Sequence, residues 1–150
     1  MKVPYYKIGK EFSRIKKTYL NRLGLIFTKG DFINSKSNFL FEKKISNLLK
    51  VKYTCGVANG SDALEVGMLA LGIKKGDEVI TATNSWVSSL TSIINIGAKP
   101  ILVDVDDDFN IDCKMLKKAI TRKTKAIMPI HLNGLPANMS EIMKISKKYK

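Results

Sequence analysis

The apolar residues of this chain change their period once, near residue 50. Before that point Phe12, Ile15, Tyr19, Leu23 and Ile26 recur at steps of three and four, which places them on one face of a helix. The polar stretches Thr28–Asp31 and Ile33–Ser37 interrupt the pattern, and Phe41, Ile45, Leu48 and Leu49 then mark a second, shorter helix. From Lys52 onward compact apolar runs alternate with longer segments. Tyr53–Ala58, Val79–Ala82, Pro100–Val103 and Ala126–Ile130 predict buried strands, each followed by a helix.

The punctuation agrees with that alternation. Ser61 is placed to cap the first of these helices, with Gly72 at its end. Lys75-Gly76-Asp77 reads as a turn into the next strand, and Gly97 closes the second helix. Asp112 is placed to cap the third, and Asn138 with Glu141 resembles a capping box for the last. Strands spaced about 20 to 25 residues apart are what successive βα units require. The expected fold class is α/β: N-terminal helices over residues 1–50, then βα units of a mainly parallel sheet over residues 51–150.

Composition narrows the class further. Of 150 residues, 45% are hydrophobic, which suits a packed domain and not a disordered chain. No run approaches the roughly 18 apolar residues of a membrane span, and the N-terminus has no signal-peptide pattern. A soluble, cytoplasmic protein without a membrane partner is expected. Cys55 and Cys113 lack a CxxC partner, so neither zinc nor a disulfide framework is suggested; Cys55, inside a predicted strand, is expected to be a buried thiol. The net charge of +13 raises nucleic-acid binding. Against it, the arginines are only Arg14, Arg22 and Arg122, and the lysines form scattered pairs and no single block. Nucleic acid is therefore not expected as a partner.

In open α/β sheets, ligands sit beyond the carboxyl ends of the strands. Three loops there carry candidate chemistry. In Ala58-Asn59-Gly60-Ser61-Asp62-Ala63, Gly60 permits close approach, and the amides of Ser61 and Asp62 with the Ser61 hydroxyl suit a phosphate, although a plain helix cap explains the same residues. Thr83-Asn84-Ser85-Trp86 holds the single tryptophan, a stacking platform or an interior wedge. Pro129–Gly134 holds the single histidine, His131, a structural residue or a catalyst, with Asn133 beside it. Asp104, Asp106, Asp107 and Asp108 lack a calcium-loop spacing and read as a polar turn, so no metal is expected.

Taken in order, GSDALEVGMLALGIKKGDEVIT, NSWVSSLTSIINIGAKPILVDVD and NIDCKMLKKAITRKTKAIMPIHLNGLPANMSEI resemble the DegT/StrS-like sugar aminotransferases, pyridoxal-phosphate enzymes of fold type I. The resemblance extends back through GDFI and FEKKISNLLKVKY, so it covers nearly the whole chain. It implies that Ser61 and the Asp62 amide hold the cofactor phosphate, that Trp86 stacks on the pyridine ring, and that Gly60, His131 and Asn133 belong to the active-site loops. It further implies transfer of an amino group from a glutamate-like donor to a keto group on a nucleotide-linked sugar, in a homodimer when the protein is complete. The residues 51–150 would then be a truncated part of the large cofactor-binding domain. The lysine that forms the Schiff base, and the acid facing the ring nitrogen, are expected after residue 150, so the chain alone is expected to be inactive. Alternatives are a sugar dehydratase of the same fold, or a non-enzymatic basic α/β module. One departure concerns the substrate pocket: where relatives often carry glycine after the Phe-Ile step, this chain has Phe32-Ile33-Asn34.

Overall fold

The computed structural model describes residues 3, 5 and 7–149, which form two compact units, Met1–Gly56 and Val57–Lys150. The first holds α1 (Ile8–Lys29) and α2 (Lys36–Leu49). Gly30 ends α1 in the left-handed conformation (φ 65°), returning its amide to Ile26 and Phe27. Ser35 begins α2 by accepting a hydrogen bond from the Asn38 amide at 3.1 Å. Between them Asn34 adopts φ 49°. Asparagine is among the few side chains that tolerate this region. The helix predicted from Phe12, Ile15 and Tyr19 is present, yet all three remain exposed and only Leu23 and Ile26 are half-buried.

The second unit runs α3 (Gly60–Ala70), β1 (Glu78–Ala82), α4 (Val87–Asn95), β2 (Lys99–Val103), α5 (Cys113–Ala119), β3 (Thr124–Met128), a short 3-10 turn (Leu132–Gly134) and α6 (Met139–Lys148). The strands pair in parallel in the order β2-β1-β3. Successive residues of β1 face opposite sides of the sheet. Val79 joins Met68, Ile73, Ile93 and Ala98 in a core under α3 and α4. Ile80 and Ala82 join Val103, Ile111, Leu116, Ala137, Ile142 and Ile145 in a core under α5 and α6. Covered on both faces and both edges, β1 is buried throughout, and this is why its sequence is a run and not an alternation. The helix ends follow the sequence closely. Asp112 accepts hydrogen bonds from Lys114 and Met115, and Asn138 accepts one from Glu141, while Gly72, Gly76 and Gly97 all take positive φ.

Four expectations need correction. Tyr53–Ala58 is not a strand among the described residues. Its β-favouring residues meet no pairing partner, and the segment is tied to α2 instead: the Thr54 hydroxyl donates to the Glu42 carbonyl at 2.6 Å, and the Gly56 amide donates to Glu42 Oε1 at 2.8 Å. Cys55 is accordingly exposed, not buried. The fourth strand lies at Thr124–Met128, earlier than Ala126–Ile130, because pairing follows β1 and Pro129 offers no amide to extend the ladder. The cap of α3 is Asn59, whose side chain accepts from the Asp62 amide at 2.9 Å; Ser61 is the second residue of the helix, within its first turn.

Candidate functional site

Because β1, β2 and β3 are parallel, the loops that leave their carboxyl ends gather at one edge of the sheet. Trp86 lies in the loop after β1, Asp104–Asp112 follows β2, and His131 and Asn133 follow β3. The N-terminus of α3 reaches the same edge through a side-chain contact: the Ser61 hydroxyl donates to the Ser88 hydroxyl at 2.8 Å, and Ser88 sits in the first turn of α4, just after Trp86. Ser61 and Trp86 are thus brought together by Ser88, which sequence reading missed for want of any pattern joining residues 27 positions apart.

The first turn of α3 has room for an anion. Asn59 takes up the Asp62 amide, contrary to the expectation that this amide is free. The Gly60 and Ser61 amides have no acceptor among the described residues, and they sit at the positive end of the helix. A Cβ built on Gly60 meets no atom within 4 Å, and the residue does not have a positive φ, so neither packing nor conformation demands glycine there. The open space beside free amides is what a phosphate group needs. Trp86 begins α4 without a side-chain cap, is 78% exposed, and belongs to neither hydrophobic core of this unit. An indole held in solvent at a strand edge offers one flat apolar face to a ring.

His131 is exposed, and its Nδ1 accepts the Ala137 amide at 3.0 Å. The loop around it turns through Asn133 (φ 52°) and Gly134 (φ 84°). Its organiser is a residue the sequence did not single out. Asn110, 3% exposed, accepts from the Leu132 amide through Oδ1 at 3.3 Å and donates through Nδ2 to the Leu135 carbonyl at 3.4 Å and to Asp108 Oδ2 at 3.2 Å. The acidic stretch spends its carboxylates on its own backbone: Asp104 accepts from Val105, Asp106 from Asp107, and Asp108 from Asn110. Nearby, Lys117 and Glu141 join α5 to α6 at 2.7 Å. That hydrogen bond and its charge hold the Glu141 carboxyl below its ordinary range and the Lys117 ammonium above its own. Burial first, then the charges of Glu141 and Asp112, push the Cys113 thiol up. Among the described residues no helix is long and apolar enough to cross a membrane.

Known proteins resemble this chain over almost its full length. It is 35% identical over 148 residues to the UDP-N-acetyl-3-dehydro-alpha-D-glucosamine 3-aminotransferase of Acidithiobacillus ferrooxidans, a match covering 98% of this chain and 40% of that protein. It is 34% identical over 151 residues to the 3-oxo-glucose-6-phosphate:glutamate aminotransferase of Bacillus subtilis, covering 99% of this chain and 34% of that protein. The crystal structure of ntda from Bacillus subtilis with bound cofactor PMP superposes with a TM-score of 0.94 at 34% identity, over 99% of this chain and 34% of that one. The chain therefore spans well under half the length of the curated relatives it matches. The profile of the DegT/DnrJ/EryC1/StrS aminotransferase family matches residues 13–150, and the chain belongs to that pyridoxal-phosphate-dependent family of fold-type-I enzymes.

Proposed function

We propose that this chain supplies the phosphate- and ring-binding side of a pyridoxal-phosphate enzyme that moves an amino group from a glutamate-like donor to a keto group on a nucleotide-linked sugar. The observation that carries this reading is the meeting of an open helix N-terminus, the Ser61 hydroxyl and the exposed Trp86 indole at one strand edge. The Gly60 and Ser61 amides and the Ser61 hydroxyl would hold the phosphate; the Asp62 amide joins them only if Asn59 releases it. Trp86 would cover one face of the ring. His131 and Asn133 would line the edge beyond β3. When bound, the cofactor supplies an electron sink for the bond broken at the substrate carbon. The relatives' substrates support a sugar that bears an oxo group at position 3 and a charged anchor elsewhere on the sugar, a nucleotide in one case and a phosphate in the other.

The loops at this edge, residues 57–61, 83–86, 104–112 and 129–138, contain no lysine. The chain is therefore proposed to bind the cofactor without covalent attachment and to be inactive in transamination alone. The homodimer proposed for the complete protein draws support from the uncovered α1 residues Phe12, Ile15 and Tyr19, which leave an apolar face for another surface. Titration of the purified chain with pyridoxal phosphate tests the site directly, because Trp86 is the only tryptophan and reports stacking without ambiguity. Saturable quenching that inorganic phosphate competes away is expected, with no stoichiometric labelling of one lysine after borohydride reduction. Absence of saturable quenching removes the site; clean labelling of a single lysine overturns the claim about attachment.

A further inference from the structure

Asn110 and His131 stand on different loops of the same edge, and their hydrogen bonds form one device. The Asn110 carboxamide spans the 3-10 turn, taking the Leu132 amide on its oxygen and the Leu135 carbonyl on its nitrogen. Its own place is set by Asp108, which holds both its backbone amide and its Nδ2. With the two ends of the turn clamped, the chain runs through Pro136 and brings the Ala137 amide back to His131 Nδ1 at 3.0 Å. A ring nitrogen that accepts a backbone N–H carries no proton. A neutral imidazole has a single N–H, so the proton must sit on Nε2. No hydrogen bond to Nε2 is found among the described residues, and the side chain is exposed.

We propose that Asn110 is a positioning residue that locks His131 in the Nε2–H form, so that the strand edge is offered a fixed hydrogen-bond donor there and not a base. What the donor meets rests on the reading of this edge as the cofactor and substrate site. An acceptor oxygen of a bound anion or keto group suits a neutral N–H, and a proton to be removed does not. The lock itself is a property of the protein and stands or falls without a ligand.

His131 is the only histidine, so a long-range nitrogen–proton correlation spectrum of the full chain shows one imidazole. At alkaline pH Nδ1 is expected in the unprotonated range and Nε2 in the protonated range, with slow exchange of the Ala137 and Leu132 amides. The reverse assignment, or two averaged nitrogens, overturns the lock. Asn110→Ala is expected to move the two nitrogen resonances toward each other while the circular dichroism is kept, a change that a residue serving only to fill space does not produce. Asn110→Asp keeps the volume and the acceptor for Leu132 but loses the donor to Leu135 and to Asp108 and sets a second carboxylate against Asp108, so it is expected to shift the resonances as well. Unchanged tautomer in either folded variant refutes the role of Asn110. If pyridoxal phosphate fails to bind while the wild-type chain shows the Nε2–H form, the cofactor reading fails and this one remains.

Discussion

Replacing Gly60 by alanine separates a helix start from a ligand cradle, because the two roles predict opposite signs. The new methyl group meets no protein atom within 4 Å, and the backbone there lies outside the left-handed range. Alanine also removes conformational freedom from the unfolded chain, so Gly60→Ala should raise stability by about 0.4–1 kcal/mol. If a phosphate occupies that open space, the methyl group displaces it from the Gly60 and Ser61 amides. A hydrogen bond to a charged group contributes about 1.5–3 kcal/mol, so the loss of one weakens pyridoxal phosphate binding by about ten- to 150-fold. Thermal unfolding reads the first quantity, and quenching of Trp86 reads the second on the same sample. A raised melting temperature with unchanged affinity would refute the cradle. A lowered melting temperature would refute the open geometry itself.

Three further outcomes follow from particular side chains. The Ser92 hydroxyl is fully buried with no hydrogen-bond partner among the described residues. Ser92→Ala should therefore stabilise the chain by about 1–2 kcal/mol in denaturant titration, since an unsatisfied buried hydroxyl costs about 1–3 kcal/mol; a destabilised variant would mean that the hydroxyl has a partner. Of the two thiols, exposed Cys55 should react with a thiol reagent well before Cys113, whose thiolate is disfavoured by burial and by Glu141 and Asp112; equal rates in the Cys55→Ser and Cys113→Ser variants contradict this. The Glu141 carboxyl is depressed, so its contribution to stability is complete above the ordinary carboxylate range and is lost as pH falls through the lowered value. Its partner Lys117 is raised, so the link weakens again as pH rises through the raised ammonium value. Melting temperatures of wild type and Glu141→Gln should converge in acid and differ at neutral pH; parallel curves at every pH show that the link contributes nothing.

The period of the apolar residues was enough to place α1 and α2, to locate three strands to within two residues, and to set the βα order of the second unit. Those features depend on neighbours a few positions apart, and the caps at Asp112 and Asn138 do so as well. The shared edge of Trp86 and His131 also followed, because parallel strands put every carboxyl end on one side, whereas Ser61 follows no strand among the described residues and is tied to that edge by its hydrogen bond to Ser88. Pairing was beyond the sequence. Tyr53–Ala58 has strand composition, yet hydrogen bonds to Glu42 and the absence of a neighbouring strand among the described residues leave it irregular. The identity of the α3 cap turned on which of two side chains on either side of Gly60 reached an amide, Asn59 or Ser61, and only the backbone conformation at Asn59 decided it. Ser88 and Asn110 have nothing in their local sequence to distinguish them from any surface polar residue. They gain their roles because folding brings them to Ser61 across 27 positions and to Leu132 across 22, and distances of that kind are set by packing on the sheet, not by spacing along the chain.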